Sequence, residues 1–323
     1  MGEFELIRRY FQRENTVPNP AVALGIGDDC ALLQPAPGMQ LAISCDMLVE
    51  GRHFFADVDP EALGHKALAV NLSDLAASGA RPLAFTLALS LPRADEAWLA
   101  AFARGLFALA DAHGCTLMGG DTTRGPLNLC LTVFGEVPTG QALLRSGGRP
   151  GDELWVSGTL GDARLALEAL QGRRTVAPEL LPAARQRLER PTPRVALGLA
   201  LRGIATAAMD LSDGLVGDLR HLLQASRCGA RLDAATLAEL PATRDAALDA
   251  PTRLGLVLGG GDDYELLFSA SPAQRTAVLA AGSAAGVALT CIGRLEAESG
   301  LRVVDRQGQA LATSRYASFD HFA

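Results

Sequence analysis

The stretch HKALAVNLSDLAASGARP, residues 65–82, decides how the chain is read. Asp59-Pro60-Glu61 lies just before it and opens a helix. Asp59 can cap, Pro60 fits the first turn, and Glu61 suits the positive helix end. Gly79 and Pro82 stop it. Leu63, Ala67, Val70 and Asp74 fall on one face, and Leu68, Leu72 and Leu75 cover much of the rest. A helix that is apolar nearly all round is buried. A bare carboxylate at Asp74 is costly there, so it needs a partner. Lys66, the only lysine of the chain, lies two turns back. A bound cation is the stronger candidate than a structural cap or an arginine, and it requires other carboxylates to converge on Asp74.

The rest of the chain supplies carboxylates. Its 323 residues suggest about two domains. With 49% hydrophobic and 20% charged residues, a packed soluble core is expected. The formal net charge of -7 makes nucleic acid an unexpected partner, while anionic ligands can still bind through metal ions. No signal-peptide pattern and no apolar run long enough for a membrane span is present, so a cytoplasmic location is expected. The six cysteines form no CxxC pair and read as reduced and mostly buried.

The first half reads as follows. Residues 2–12 form a docking helix with Phe4, Ile7 and Phe11 on one stripe. VALGIGDDCALL, residues 22–33, places Asp28-Asp29 beside glycines, which fits a metal loop or an ordinary turn equally well. Its GxG lacks the third glycine and following helix of a dinucleotide fingerprint. Residues 41–49 read as a strand carrying Ser44, Cys45 and Asp46, followed by His53 in a loop, where a lone histidine is more often solvated than functional. A strand over 83–91 and an amphipathic helix over 95–113 come next. GGDTTRGP, residues 119–126, is read as a ligand loop. Its glycines let amides approach a ligand, Asp121 can hold a metal, and the threonines and Arg124 add donors. A strand over 127–137 follows, and the glycine-rich segment 145–152 marks a domain boundary.

The second half restarts with a strand over 153–157. A strand over 205–209 ends in Asp210-Leu211-Ser212-Asp213-Gly214, with a helix over 215–226 directly behind. Acids at a strand end beside a helix N-terminus suit an ion and phosphate site when a metal is present. The plain alternative is an N-cap by Ser212 or Asp213. Gly259 to Glu265, GGGDDYE, enters a strand over 266–270. GIGDDCALL resembles GGGDDYELL, and NLSDL resembles DLSDG, so Gly-flanked carboxylates recur in both halves.

Many loop carboxylates with almost no lysine suit hard cations such as Mg2+, which bridge carboxylates to phosphates. Phosphoryl transfer requires positioning and charge neutralisation above all. The P-loop, protein-kinase and HExxH signatures are absent. The residues therefore point to a Mg2+-dependent phosphate enzyme. The rival from another class is a non-catalytic Ca2+-binding protein, which the missing EF-hand pattern disfavours.

Taken in order, LGIGDDCALL, NLSDLAASGARP, GGDTTRGPL, LLRSGGRPGD, DLSDGL and GGDDYEL resemble the thiamine-monophosphate kinase family of the aminoimidazole ribonucleotide synthetase superfamily. The resemblance runs from Gly2 to the terminal Asp320-His321-Phe322. It implies an α/β (α+β) fold of two domains, 1–148 for ATP, Mg2+ and dimerisation and 149–323 as a second α/β domain. It also implies a homodimer whose N-terminal domains build an intersubunit β-barrel. The implied reaction moves the γ-phosphate of ATP onto thiamine monophosphate. By the same resemblance, the Mg2+ ligands are Asp29, Ser44, Cys45, Asp46, Asp74, Asp121, Asp210 and Asp213, holding several ions. Gly120, Asp121, Arg145 and Ser212 meet ATP, and His53, Asp262 and Phe319 meet the acceptor. Asp74, Asp121, Asp213 and Arg145 are the residues assigned to the transfer. The sequence departs from the family pattern at Cys45, often Thr, at Asp262, more usually Glu, and at Phe319, frequently Tyr or Trp. Selenophosphate synthetase is the nearest alternative in the superfamily. Its reactive N-terminal Cys or selenocysteine works with a nearby lysine, and no lysine precedes Lys66 here.

Overall fold

The computed structural model describes residues 2–13, 19–241, 243, 248–312 and 316. It divides into two compact units, Met1–Leu75 with Ala80–Gly140, and Ala76–Gly79 with Gln141–Ala323.

The first unit is a sheet covered on one face by two helices. Its strands are β1 (Met39–Val49), β2 (Arg81–Leu91), β3 (Thr116–Arg124) and β4 (Asn128–Pro138), and its long helices are α1 (Pro60–Ala77) and α2 (Glu96–Ala112). The strand order is β1-β4-β2-β3, antiparallel except for the β2–β3 pair. Helix α1 is buried on every face, as its sequence dictates, with Leu63, Ala67, Leu68, Leu72 and Leu75 fully enclosed. Asp59 Oδ1 accepts from the Glu61 amide at its start. Its crossing with α2 is close. A Cβ on Gly64 would strike the Phe102 carbonyl, and one on Gly105 the Glu61 carbonyl. Asp95 caps α2 by accepting from Trp98 N at 3.1 Å.

Strand β1 sorts its residues by the two-residue period. Ser44, Asp46 and Leu48 turn inward, whereas Leu41, Ile43, Cys45, Met47 and Val49 are exposed. Ile43 is 60% and Met47 53% exposed, an unusual condition for such residues in a sheet.

The second unit is a mixed sheet with helices around it. Its strands are β5 (Glu153–Ser157), β6 (Ala207–Asp210), β7 (Gly229–Asp233), β8 (Leu266–Ala270), β9 (Leu289–Glu296) and β10 (Gly300–Val304). The order among the described residues is β10-β7-β9-β5-β8-β6, and only β10–β7 is parallel. The helices used below are α3 (Asp162–Leu170), α4 (Leu181–Glu189), α5 (Val195–Ala200) and α6 (Leu215–Ser226). The core gathers Leu154, Val156, Met209, Leu219, Leu222, Leu267 and Ile292. Strand β7 and the helix Ala250–Gly259 carry no sharp sequence signal and are additions from the structure.

Three expectations are corrected. GGDTTR is not a loop but the body of β3, because its backbone pairs with β2 from Ala84↔Thr116 to Leu91↔Arg124. Tertiary pairing there overrides the turn preference of two glycines. The helix α1 carboxylate is not deeply enclosed, since Asp74 is half-buried. The cysteines are not mostly buried: Cys115 and Cys228 are, but Cys30 and Cys45 are exposed and Cys130 and Cys291 lie between.

Candidate active site

In the first unit the inward side of β1 faces α1. The Ser44 hydroxyl donates to Asp74 Oδ2 at 2.5 Å. The Asp46 amide donates to Asn71 Oδ1 at 3.1 Å, and Asn71 is itself tied to the Ala67 carbonyl. Asn71 and Asp74 sit one turn apart on the same helix, so one face of α1 fixes Ser44 by its side chain and Asp46 by its backbone. The partner that Asp74 was expected to need is thus in part a strand hydroxyl. Lys66 is buried, and its Nζ reaches the His53 carbonyl at 3.5 Å.

His53 lies in a tight loop after β1. Its Nδ1 accepts from the Val49 amide at 3.0 Å, and its own amide donates to the Val49 carbonyl. A ring nitrogen that accepts from a backbone N–H carries no proton, so the proton resides on Nε2. His53 is therefore held rather than freely solvated.

Asp29 and Asp121 are exposed, on separate segments. The Asp29 amide donates to Asp28 Oδ1 at 2.8 Å. Asp121 lies on β3 opposite Ala88. Gly120 beside it has φ +146, and a Cβ there would collide with the Leu87 backbone, so glycine is required for this approach of β3 to β2. Cys45 Sγ lies 3.4 Å from Cys130 Sγ. Burial and the neighbouring Cys45 push the Cys130 thiol up to about 11, so it is a poor nucleophile.

In the second unit two acidic motifs are bonded to each other. Asp262 N donates to Ser212 O, Tyr264 N to Leu211 O, and Leu211 N to Glu265 O, at 2.8–2.9 Å. The segment after Gly261 bends sharply, with Asp262 at φ +65 and Tyr264 at φ +50. Both are side-chain-bearing residues in the left-handed region, a costly geometry that persists only where its surroundings enforce it. Asp210 ends β6 and is buried; Ser212, Asp213 and Asp262 are half-buried.

Helix α6 is capped in an unexpected way. Neither Ser212 nor Asp213 is its N-cap; Gly214 is. Instead Asp218, one turn into the helix, turns its Oδ2 back to accept from Asp213 N at 3.0 Å and Gly214 N at 3.1 Å. Those two amides are taken by the chain's own carboxyl group. Burial, opposed in part by these bonds, pushes the Asp218 carboxyl up to about 7.

Asp263 is enclosed, and both its oxygens accept from Gly161 N just before α3. Burial raises its carboxyl well above the ordinary range. Glu265 is fully buried. Its Oε1 meets Arg187 Nη2 at 2.6 Å and Arg194 Nη2 at 2.5 Å, and its Oε2 meets Arg194 Nε at 2.6 Å and the Ser157 hydroxyl at 2.5 Å. Arg145 is exposed, with its carbonyl bound by the Ser226 hydroxyl at 2.9 Å. Phe319 lies outside the described residues.

The structure therefore joins Ser44, Asp46 and Asp74 through α1, and Asp210 to Asp213 with Asp262 through backbone bonds. Among the described residues, no three His, Cys, Asp or Glu side chains form a ready metal-binding group. Sequence reading missed Asp218, Arg187 and Arg194. An acid in the first turn of α6 could have signalled the first. The arginines lie 78 and 71 residues from Glu265, beyond the reach of local pattern.

The comparisons with known proteins agree over both units. A family model described as AIR synthase related protein, N-terminal domain, matches residues 27–137, and its C-terminal-domain counterpart matches 149–306. A thiamine-monophosphate kinase from Salmonella typhimurium is 49% identical over 324 aligned residues, covering 100% of this chain and 98% of its own. The crystal structure of a thiamine-monophosphate kinase from Stenotrophomonas maltophilia superposes with TM-score 0.81 at 45% identity, over 95% of this chain and 96% of that one. A structure described as AaThiL complexed with AMPPCP and TMP superposes with TM-score 0.74 at 29% identity, over 89% of each chain.

Proposed function

This chain belongs to the thiamine-monophosphate kinase family, within the AIR synthase related group, and on that premise we propose that it moves the γ-phosphate of ATP onto thiamine monophosphate, yielding thiamine diphosphate and ADP. The observation that carries this is the 49% identity, which extends over the whole chain. The AaThiL complex supports it, because AMPPCP is an ATP analogue that cannot transfer its γ-phosphate.

The residues present suit Mg2+ by their chemistry. Asp29, Asp46, Asp74, Asp121, Asp210 and Asp213 offer carboxylates, Ser44 a hydroxyl and Cys45 its backbone carbonyl, the hard oxygen donors this ion selects. Bound to these residues, Mg2+ supplies positive charge that offsets the phosphates. Gly120, Asp121, Arg145 and Ser212 are assigned to ATP, and His53, Asp262 and Phe319 to the acceptor. Asp74, Asp121, Asp213 and Arg145 are the group assigned to the transfer. The nucleophile is the phosphate oxygen of thiamine monophosphate, already anionic near neutral pH. It needs alignment and charge neutralisation more than a general base. One oxygen–phosphorus bond forms as the bond to the ADP oxygen breaks, in line and in one step. His53, protonated on Nε2, is suited to donate to an acceptor phosphate oxygen.

The first unit, with residues 1–148 as its functional extent, is assigned to ATP, Mg2+ and dimerisation, and residues 149–323 to the second domain. The exposed apolar row on β1 supports a homodimer in which a second copy of this sheet covers it. Among the described residues no helix is long and apolar enough to cross a membrane, consistent with work in the cytoplasm.

The test is a competition among acceptors. With ATP, Mg2+, thiamine, thiamine monophosphate and selenide together, thiamine diphosphate is the sole phosphorylated product expected. A phosphorylated selenium product, or tight Ca2+ binding without ATP turnover, overturns the reading.

A further inference from the structure

We propose that the buried ion cluster Arg187–Glu265–Arg194 is a positioning device that sets the acceptor-side residue Asp262. The inference rests on the acceptor assignment made above. Glu265 is 0% exposed, and each carboxylate oxygen accepts two bonds, so the group is fully satisfied. The same cluster grips the backbone on both sides of Glu265. Arg187 Nη2 also reaches the Asp263 carbonyl at 3.4 Å, and the Ser157 hydroxyl accepts from Leu266 N at 2.8 Å.

A cation pair on one buried carboxylate is an expensive way to stabilise a fold, since well-packed apolar groups often do as well. What it supplies here is a fixed backbone. Three residues before Glu265, Asp262 stands at φ +65, and Tyr264 at φ +50. Neither conformation is favourable for its residue, so each must be enforced from outside. The enforcement runs from helix α4, which carries Arg187, and from Arg194 at the start of α5, through Glu265 into the bend. The bend is then tied to Leu211 and Ser212 by the Asp262 and Tyr264 amides. Glu265 touches no reacting atom; it acts through Asp262.

The two acidic motifs are bonded to each other, but the Asp213 and Gly214 amides have an anchor of their own. Those two amides are held by Asp218 Oδ2. Loosening the Arg187 cluster should therefore disturb the Asp262 and Tyr264 amides far more than those of Asp213 and Gly214. Arg187 is the milder place to cut, because Arg194 keeps its Nε and Nη2 bonds.

The experiment compares Arg187→Met, Arg187→Lys and Asp218→Ala with the wild type in two readouts. The first is amide exchange. Arg187→Met should speed exchange at Asp262 and Tyr264 about tenfold or more while leaving Asp213 and Gly214 unchanged. Arg187→Lys should restore part of the protection, and Asp218→Ala, which removes the acceptor oxygen, should show the reverse pattern. The second is kinetic. Arg187→Met should raise KM for thiamine monophosphate about tenfold and leave the ATP KM within about twofold. A fall in thermal stability with both KM values and the exchange pattern unchanged shows a purely structural cluster and overturns the proposal. Equal increases in both KM values overturn it too. If the wild type fails to phosphorylate thiamine monophosphate, the functional reading fails, and the exchange readout still decides whether the cluster holds the bend.

Discussion

Replacing Asp74 by asparagine isolates the charge at the centre of the first unit. The change keeps side-chain volume and one acceptor oxygen, so the Ser44 hydroxyl, now 2.5 Å from Asp74 Oδ2, still finds a partner. A hydrogen bond to an ionised group contributes about 1 kcal/mol more than one to a neutral group. Thermal stability should therefore fall by only about 2–4 °C. The loss in turnover is larger. A unit charge about 4 Å from its partner, in an effective dielectric near 20, interacts with about 4 kcal/mol. Asp74 is half-buried and the amide keeps a dipole, so about 2–3 kcal/mol is a fair expectation. That corresponds to about a hundredfold loss in kcat/KM at limiting Mg2+, partly recovered at high Mg2+. The assay is the initial rate of ADP and thiamine diphosphate formation across a Mg2+ titration, with melting curves on the same samples. A variant that melts normally and turns over normally at limiting Mg2+ would remove Asp74 from the metal site.

Three further outcomes follow from named residues. His53→Ala and Phe319→Ala should each raise KM for thiamine monophosphate more than that for ATP; a shift confined to ATP would move them to the other substrate. Asp263 has a carboxyl raised by burial, so below about pH 4 it is neutral in folded and unfolded chains alike, and stability is lost as pH climbs towards its folded value. Asp263→Asn keeps the bond from Gly161 and removes that loss, so its advantage over the wild type in urea unfolding should grow between about pH 5 and pH 8; an advantage that shrinks would show the carboxyl is ionised when buried. ATP chiral at the γ-phosphorus should give product of inverted configuration, whereas retention would require a phosphorylated intermediate on the protein.

The helix α1 was legible because its signals agree: a proline start, an all-round apolar surface and a glycine stop. Helix α6 and strand β8 were legible for similar reasons. The reading failed where long-range pairing decides. Residues 119–124 carry loop composition, yet β2 supplies backbone partners along their length. Within the site, the carboxylate-bearing motifs were visible because acids between glycines are conspicuous. Their anchors were not. Asn71 looks like any polar residue on a helix, yet it fixes the Asp46 amide. Arg187 and Arg194 look like solvated charge on short helical segments, and only the fold brings them to Glu265. The left-handed backbone at Tyr264 has no sequence mark, and at Asp262 only the weak one that aspartate tolerates this region.

The most direct test of the account follows one phosphate. The protein is incubated with Mg2+, thiamine monophosphate and ATP carrying phosphorus-32 at the γ position, and the products are separated together with the protein. The account predicts label in the terminal phosphate of thiamine diphosphate, appearing in step with ADP, and none on the protein. Label that stays in ATP, passes only to inorganic phosphate, or is trapped on the chain would contradict it.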